Sequence, residues 1–150
     1  MNTVRKALLA IAGALLTLAF AAGTAHANPP STPQCRVEFV SLTATQLWHS
    51  SGQDWMWFVI DGDYYPGNTK SIAFYKGTVQ AAGTFNDPVK VFSSTGTATF
   101  QVVLDRTWPT ANLVIDSNPV SCTTATGSGL SLRFSDGRAI YDLKYNASLV

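Results

Sequence analysis

The sequence predicts an all-β fold, an antiparallel β-sandwich of about eight strands. After the first thirty residues the chain is poor in Glu, Lys, Leu and Ala, and rich in Val, Thr, Ser and aromatic residues that suit pleated strands. Short runs of these residues alternate with turn signals such as Asp61-Gly62-Asp63, Asn86-Asp87-Pro88 and Asp136-Gly137. No segment shows the periodicity of an amphipathic helix. Regularly spaced short strands without helices indicate a sandwich or a barrel.

The strand pattern can be followed element by element. The segment 55–60 (Trp-Met-Trp-Phe-Val-Ile) is apolar on both faces, which predicts a central strand with both sides covered. Trp55 and Trp57 share one face of this strand, and we expect both to pack inside the protein. The Asp136-Gly137 turn joins the last two strands as a hairpin. The predicted strands are 36–47, 55–60, 71–75, 77–85, 89–92, 97–104, 113–115, 130–134 and 139–145.

Five segments carry a resemblance to a known family. They are the opening strand 37–42, the loop 51–54, the strand 57–63, the edge 99–105 and the closing strand 139–145. Their order resembles a C2-like β-sandwich of small exported bacterial proteins, so the expected sandwich is C2-like or immunoglobulin-like.

Many C2-like domains bind calcium or contact membranes through Asp-rich loops. The resemblance therefore implies Asp54, Asp61, Asp63 and Asp105 as candidate calcium ligands. The sequence departs from the family where 106–112 follows Asp105 without a further carboxylate. Calcium prefers six to eight oxygens, several of them charged. The alternative is that Asp61 and Asp63 form a turn around Gly62, a role that Asp performs well. No other cofactor is predicted.

The first 27 residues have the pattern of a cleavable secretion signal. Arg5 and Lys6 precede an apolar run that ends at Ala22, and Ala25 and Ala27 supply the small residues that a signal peptidase requires. The run is shorter than the roughly 20 residues that span a bilayer. We therefore expect cleavage after Ala27, a secreted extracellular product without a transmembrane segment, a flexible lead-in over 28–34 and one β-sandwich domain over 35–150.

Cleavage changes the charge of the chain. The remaining residues contain eight basic and nine acidic side chains, a formal charge of −1, and the basic residues form no cluster. This charge argues against a nucleic-acid partner, which requires a basic patch.

The two cysteines, Cys35 and Cys122, are expected to form a disulfide bond. A single pair in an exported chain is most simply a structural bridge. A redox pair or a metal site requires close spacing or further Cys and His ligands, which the sequence lacks.

The sequence shows no catalytic motif. His49 is the only histidine outside the predicted signal, in a polar stretch that reads as a loop. A hydroxyl nucleophile needs an adjacent base, so a small hydrolase would require His49 to meet a Ser and an Asp in space. Glu38 alternates with inward residues of its strand and reads as a surface charge. We therefore predict a protein that is not an enzyme.

The aromatic residues beside turns form a candidate binding surface of Trp48, Tyr64, Tyr65 and Trp108. The leading hypothesis is a monomeric, secreted, non-enzymatic domain that binds a protein, a cell-envelope component or an ion through its surface. A carbohydrate-binding module is the alternative, because exposed rings provide platforms for sugars.

Overall fold

A computed structural model describes residues 32–106 and 109–150. The predicted signal, residues 28–31 of the predicted lead-in and Trp108 of the predicted surface lie outside these residues. The described part forms ten strands and one 3₁₀ turn, Ala82–Phe85. The strands are β1 Gln34–Gln46, β2 Asp54–Ile60, β3 Asp63–Tyr65, β4 Ile72–Phe74, β5 Val79–Ala81, β6 Val89–Ser93, β7 Ala98–Leu104, β8 Leu113–Val120, β9 Gly127–Ser135 and β10 Ile140–Leu149.

The strands form two antiparallel sheets. In the first sheet the order is β5-β1-β10-β9, and β6 pairs with the other half of the β1 edge that β5 occupies. In the second sheet the order is β3-β2-β7-β8, and β4 likewise shares the edge of β2 with β3. The strand 55–60 is therefore central, as the sequence predicts, with neighbours on both edges.

The core lies between the two sheets. Phe39 of β1 meets Phe58 of β2 with ring centroids 4.9 Å apart, and Phe58 also contacts Phe100 and Phe134 edge-on. Edge-to-face contacts of this kind are the favoured geometry for aromatic pairs. At one end of the core Phe74 contacts Tyr141, whose centroid is 6.1 Å away. Side chains from both sheets thus interdigitate, and the predicted antiparallel sandwich is confirmed.

The predicted disulfide is also confirmed. Cys35 at the start of β1 is bonded to Cys122, which follows β8, with Cα atoms 5.6 Å apart. Cys35 is fully buried and Cys122 nearly so. Because β1 and β8 belong to different sheets, the bond ties the two sheets together covalently. None of the described residues forms a helix long and apolar enough to cross a membrane.

Some strand bounds differ from the prediction. The predicted strand 77–85 is only β5 followed by the 3₁₀ turn, and β3 occupies residues interpreted as turn and loop. β8 continues to Val120 through Pro119, which pairs with Thr99 of β7. A proline is tolerated there because β8 is an edge strand whose outer side needs no ladder donor.

Candidate functional site

A cleft of about 470 Å³ lies at one end of the second sheet. We call it the Trp48–Trp55 cleft. β2 begins and β7 ends at this point, and the backbone N–H of Asp105 donates to the carbonyl of Trp55 at 2.7 Å. The loop before β2 forms the opposite wall. The described residues that line the cleft are Trp48, His49, Ser51, Gln53, Trp55, Asp105, Arg106 and Thr110.

Asp54 holds the loop beside the cleft. Its carboxylate is fully buried and accepts the backbone N–H groups of Trp48 at 2.7 Å and His49 at 3.0 Å. It also accepts the ring Nδ1–H of His49 at 2.7 Å and the hydroxyl of Tyr141 in β10. Four donors on two oxygens satisfy a buried carboxylate, which would otherwise be costly to bury. The side chain therefore organises the loop from behind and does not line the cleft.

This network decides which nitrogen of His49 faces outward. An ionised carboxylate only accepts hydrogen bonds, so Nδ1 carries a hydrogen, and Nε2 is the nitrogen that is not bonded to Asp54. His49 thus meets an Asp, as the hydrolase alternative requires. That alternative also requires a Ser hydroxyl at Nε2.

Tyr141 gives the network a measurable pH dependence. Burial and the neighbouring Asp54 carboxylate raise the pKa of the Tyr141 phenol well above its usual range. The unfolded chain releases this proton above about pH 10, whereas the folded chain retains it. The stability from this group is therefore complete below about pH 10 and is lost as the pH rises further.

We expect the free energy of unfolding of the wild type to fall more steeply above pH 10 than that of Tyr141→Phe, by about 1.4 kcal/mol per pH unit. Urea titrations of both proteins between pH 8 and pH 11 measure the difference. The pKa values of Tyr145, raised by burial, and of Lys90, raised mainly by its hydrogen bond to Asp61, add a decline that both proteins share. Parallel curves for the two proteins would contradict the role of Tyr141.

Trp48 is fixed in place by charged neighbours. The guanidinium groups of Arg106 and Arg138 each lie 5.6 Å from the ring centroid, and the indole N–H donates to Asp136 at 3.1 Å. Burial raises the pKa of the Asp136 carboxyl, but hydrogen bonds from the backbone of Ala139 and Arg138 and from the Trp48 indole outweigh it and lower the pKa. Cation–π contacts and an anchored N–H hold the ring as a rigid wall. Trp48 was predicted to be exposed and is partly buried.

Trp55 differs from the prediction. The side chain was expected to pack inside the protein, yet 47% of it is exposed. On the same face Trp57, Val59 and Val103 are almost fully buried and form a small second cluster, which Tyr64 covers with an edge contact to Trp57 at 5.6 Å. Tyr64 covers the far half of β2 and does not reach Trp55 at the start of the strand, so the Trp55 ring stays open to solvent. Trp55 therefore belongs to the cleft and also to the outer face of the sheet.

The two outer faces of the sandwich differ in chemistry. The first sheet carries charged pairs, Arg36 with Glu38 and Arg133 with Asp142, each at 2.7 Å. The outward positions of β2, β7 and β8 carry no charged side chain, and we call them the uncharged face. They are Trp55, Trp57, Val59, Thr99, Gln101, Val103, Val114, Ser117 and Pro119. Three of them, Trp57, Val59 and Val103, are almost fully buried. The uncharged face adjoins the cleft at Trp55.

The four candidate calcium ligands do not share one site. Asp54 and Asp61 stand at opposite ends of β2, and seven residues at 3.3 Å place them roughly 20 Å apart. Asp61 and Asp63 contact Lys90 at 3.1 and 3.7 Å, and Asp61 accepts the N–H of Thr99. No group of three or more acidic, His or Cys side chains suited to a metal occurs in the described residues. A site built from all four is therefore ruled out, and calcium binding itself stays a prediction.

The remaining predicted surface residues lie apart from the cleft. Tyr64 is 38% exposed on β3, which pairs with the far end of β2. Tyr65 is partly buried and packs against the core. Gln53, Arg106 and Thr110 line the cleft but carry no motif that singles them out in the sequence.

The chain is thus an antiparallel β-sandwich with one disulfide and an end cleft walled by two indoles. No protein-family model and no curated protein matches it. Among solved structures 14 chains match. One is a CC2D1B chain, described as coordinating ESRCT-III activity during the mitotic reformation of the nuclear envelope, with a TM-score of 0.48 and 9% identity over 78% of this chain.

This chain covers only 55% of the CC2D1B chain. Another match is a C2 domain of plant extended synaptotagmin 1, with a TM-score of 0.42 and 12% identity over 79% of this chain and 94% of that one. This second match belongs to the class that the strand pattern resembles. Scores below 0.5 are too low to carry this resemblance further, so the evidence for the sandwich is its own two sheets.

Proposed function

We propose that this chain is a secreted, non-enzymatic binding domain that holds a cell-envelope component in the Trp48–Trp55 cleft. The observation that carries the proposal is the lining of the cleft, in which two indole rings stand among hydrogen-bonding side chains. Pockets that bind ligands combine apolar surface with a few well-placed polar groups in this way. A ligand bound in the cleft would remove the exposed apolar surface of the Trp55 ring from water, which is favourable.

The side chains in the cleft favour binding over catalysis. Of the nine carboxylates of the chain, all within the described residues, only that of Asp105 lines the cleft. Hydrolysis of a glycosidic bond requires two carboxyl groups at a defined separation. The Asp105 carboxylate is itself held by the Ser71 hydroxyl at 2.6 Å. The buried Asp54 carboxylate accepts four hydrogen bonds, one of them from His49, and these bonds stabilise the loop.

Replacing Trp55 by Ala is expected to abolish retention on isolated bacterial cell envelopes in a sedimentation assay. A central aromatic contact contributes at least about 2 kcal/mol, or roughly 30-fold in affinity. Because about half of the Trp55 side chain is buried, the variant should lose about 1 to 2 kcal/mol of stability, and retention is therefore measured where both proteins are folded. For this assay both proteins are expressed with export to an oxidising compartment, so that the disulfide between Cys35 and Cys122 can form.

Val91→Ala is the matched control, since Val91 is 44% exposed on β6 of the first sheet, away from the cleft. It should be retained like the wild type. Equal retention of Trp55→Ala would remove the cleft as the binding site. Absence of retention of the wild type would overturn the proposed function.

A further inference from the structure

We infer that the ligand of the Trp48–Trp55 cleft is an uncharged carbohydrate. One sugar ring stacks on Trp55, and its hydroxyl groups bind Gln53, Asp105 and Arg106. This inference rests on the proposed function and assigns the ligand class, which the coarser proposal leaves open.

The polar lining fits hydroxyl groups in particular. A sugar ring has an apolar C–H face and a rim of hydroxyls, each of which both donates and accepts hydrogen bonds. The Gln53 amide donates and accepts, the Asp105 carboxylate accepts, and the Arg106 guanidinium donates. These three side chains line the same cleft as the open face of Trp55. The cleft therefore offers an apolar platform and both kinds of hydrogen-bonding partner to one small ring.

The walls of the cleft are held in place before any ligand arrives. Arg106 and Arg138 each lie 5.6 Å from the centroid of the Trp48 ring, the loop behind it is bonded to Asp54, and the Asp105 carboxylate is fixed by Ser71. A preorganised site loses less conformational entropy on binding. Weakly binding hydroxyl groups depend on this saving, because each replaces a hydrogen bond to water with one to the protein.

The charges in the cleft argue against ionic ligands. An anionic headgroup that approached Arg106 would also meet the carboxylate of Asp105, and a divalent cation would find one carboxylate beside a guanidinium. The adjoining uncharged face has no charged side chain at all among its outward positions.

Selective damage to the envelopes tests the ligand class. Periodate oxidises the vicinal diols of sugars, whereas protease digestion removes proteins and detergent removes lipids. We expect wild-type retention to be lost after periodate and kept after protease and detergent. Retention that survives periodate and disappears after protease or detergent would overturn the carbohydrate assignment while leaving the proposed function standing. Absence of retention on untreated envelopes would overturn both.

Two substitutions test stacking at the same position. Trp55→Phe keeps an aromatic face and should retain binding within about tenfold of the wild type, whereas Trp55→Leu keeps only apolar area and should lose at least about tenfold more. Competition by soluble oligosaccharides released from protease-digested envelopes gives the dissociation constants. Equal affinities of the Phe and Leu variants, or failure of these oligosaccharides to compete, would overturn the inference.

Discussion

Replacing Asp54 by Ala is expected to lower the free energy of unfolding by about 3 to 5 kcal/mol. The substitution leaves the buried hydroxyl of Tyr141 and the backbone N–H groups of Trp48 and His49 without their acceptor. Each unsatisfied buried group costs about 1 to 3 kcal/mol. Urea unfolding followed by tryptophan fluorescence measures the change, provided that the m-value is unchanged.

Asp63→Ala is the matched control for this substitution. The side chain of Asp63 is 68% exposed, and within the described residues its one ion pair is the 3.7 Å contact with Lys90. Surface substitutions of this kind usually change stability by less than about 0.5 kcal/mol. Asp54→Asn, which keeps one acceptor oxygen, should fall between the two. If Asp54→Ala were no more destabilising than Asp63→Ala, the buried carboxylate would not organise the loop.

Removing the disulfide is the second large effect. The bond closes a segment with a sequence separation of 87 residues, so the double substitution Cys35→Ala and Cys122→Ala should cost roughly 4 to 5 kcal/mol in the chain-entropy model. Side chains of both sheets interdigitate in one core, so we expect the variant still to unfold as a single unit. Its unfolding should occur at a lower urea concentration than that of the wild type.

Reductant supplies the control for the disulfide. Wild-type protein unfolded with reductant should match the double variant, which has no cysteine and should not respond to reductant. A difference of less than about 1 kcal/mol between the oxidised wild type and the double variant would contradict the stabilising role of the bond.

The sandwich was predictable because its long strands alternate. Val37, Phe39 and Leu42 fall on the buried side of β1, with a register shift after Phe39 that the alternation alone does not reveal. The short strands β3 and β5 were harder, because three residues beside Gly or Thr carry too little pattern to separate strand from turn. The disulfide followed from the number of cysteines alone.

The cleft was only partly predictable. Trp48, Asp54 and Asp105 were recognised as candidates, but their roles depend on contacts between distant parts of the chain. Tyr141 lies 87 residues from Asp54, and the packing of the first sheet, which contains β10, against the second, which contains β2, brings the two side chains together. The exposure of Trp55 depends on where Tyr64 stops covering its face of the sheet. Such boundaries are set by register, which a single sequence does not specify.

Binding isotherms of the wild type, Trp55→Ala and Val91→Ala on the same bacterial cell envelopes test the central claim most directly. The claim is that the Trp48–Trp55 cleft holds the ligand through the exposed indole. We predict a dissociation constant roughly 30-fold higher for Trp55→Ala and unchanged for Val91→Ala, with all three proteins folded at the temperature of the assay. Superimposable isotherms of the wild type and Trp55→Ala would contradict the claim.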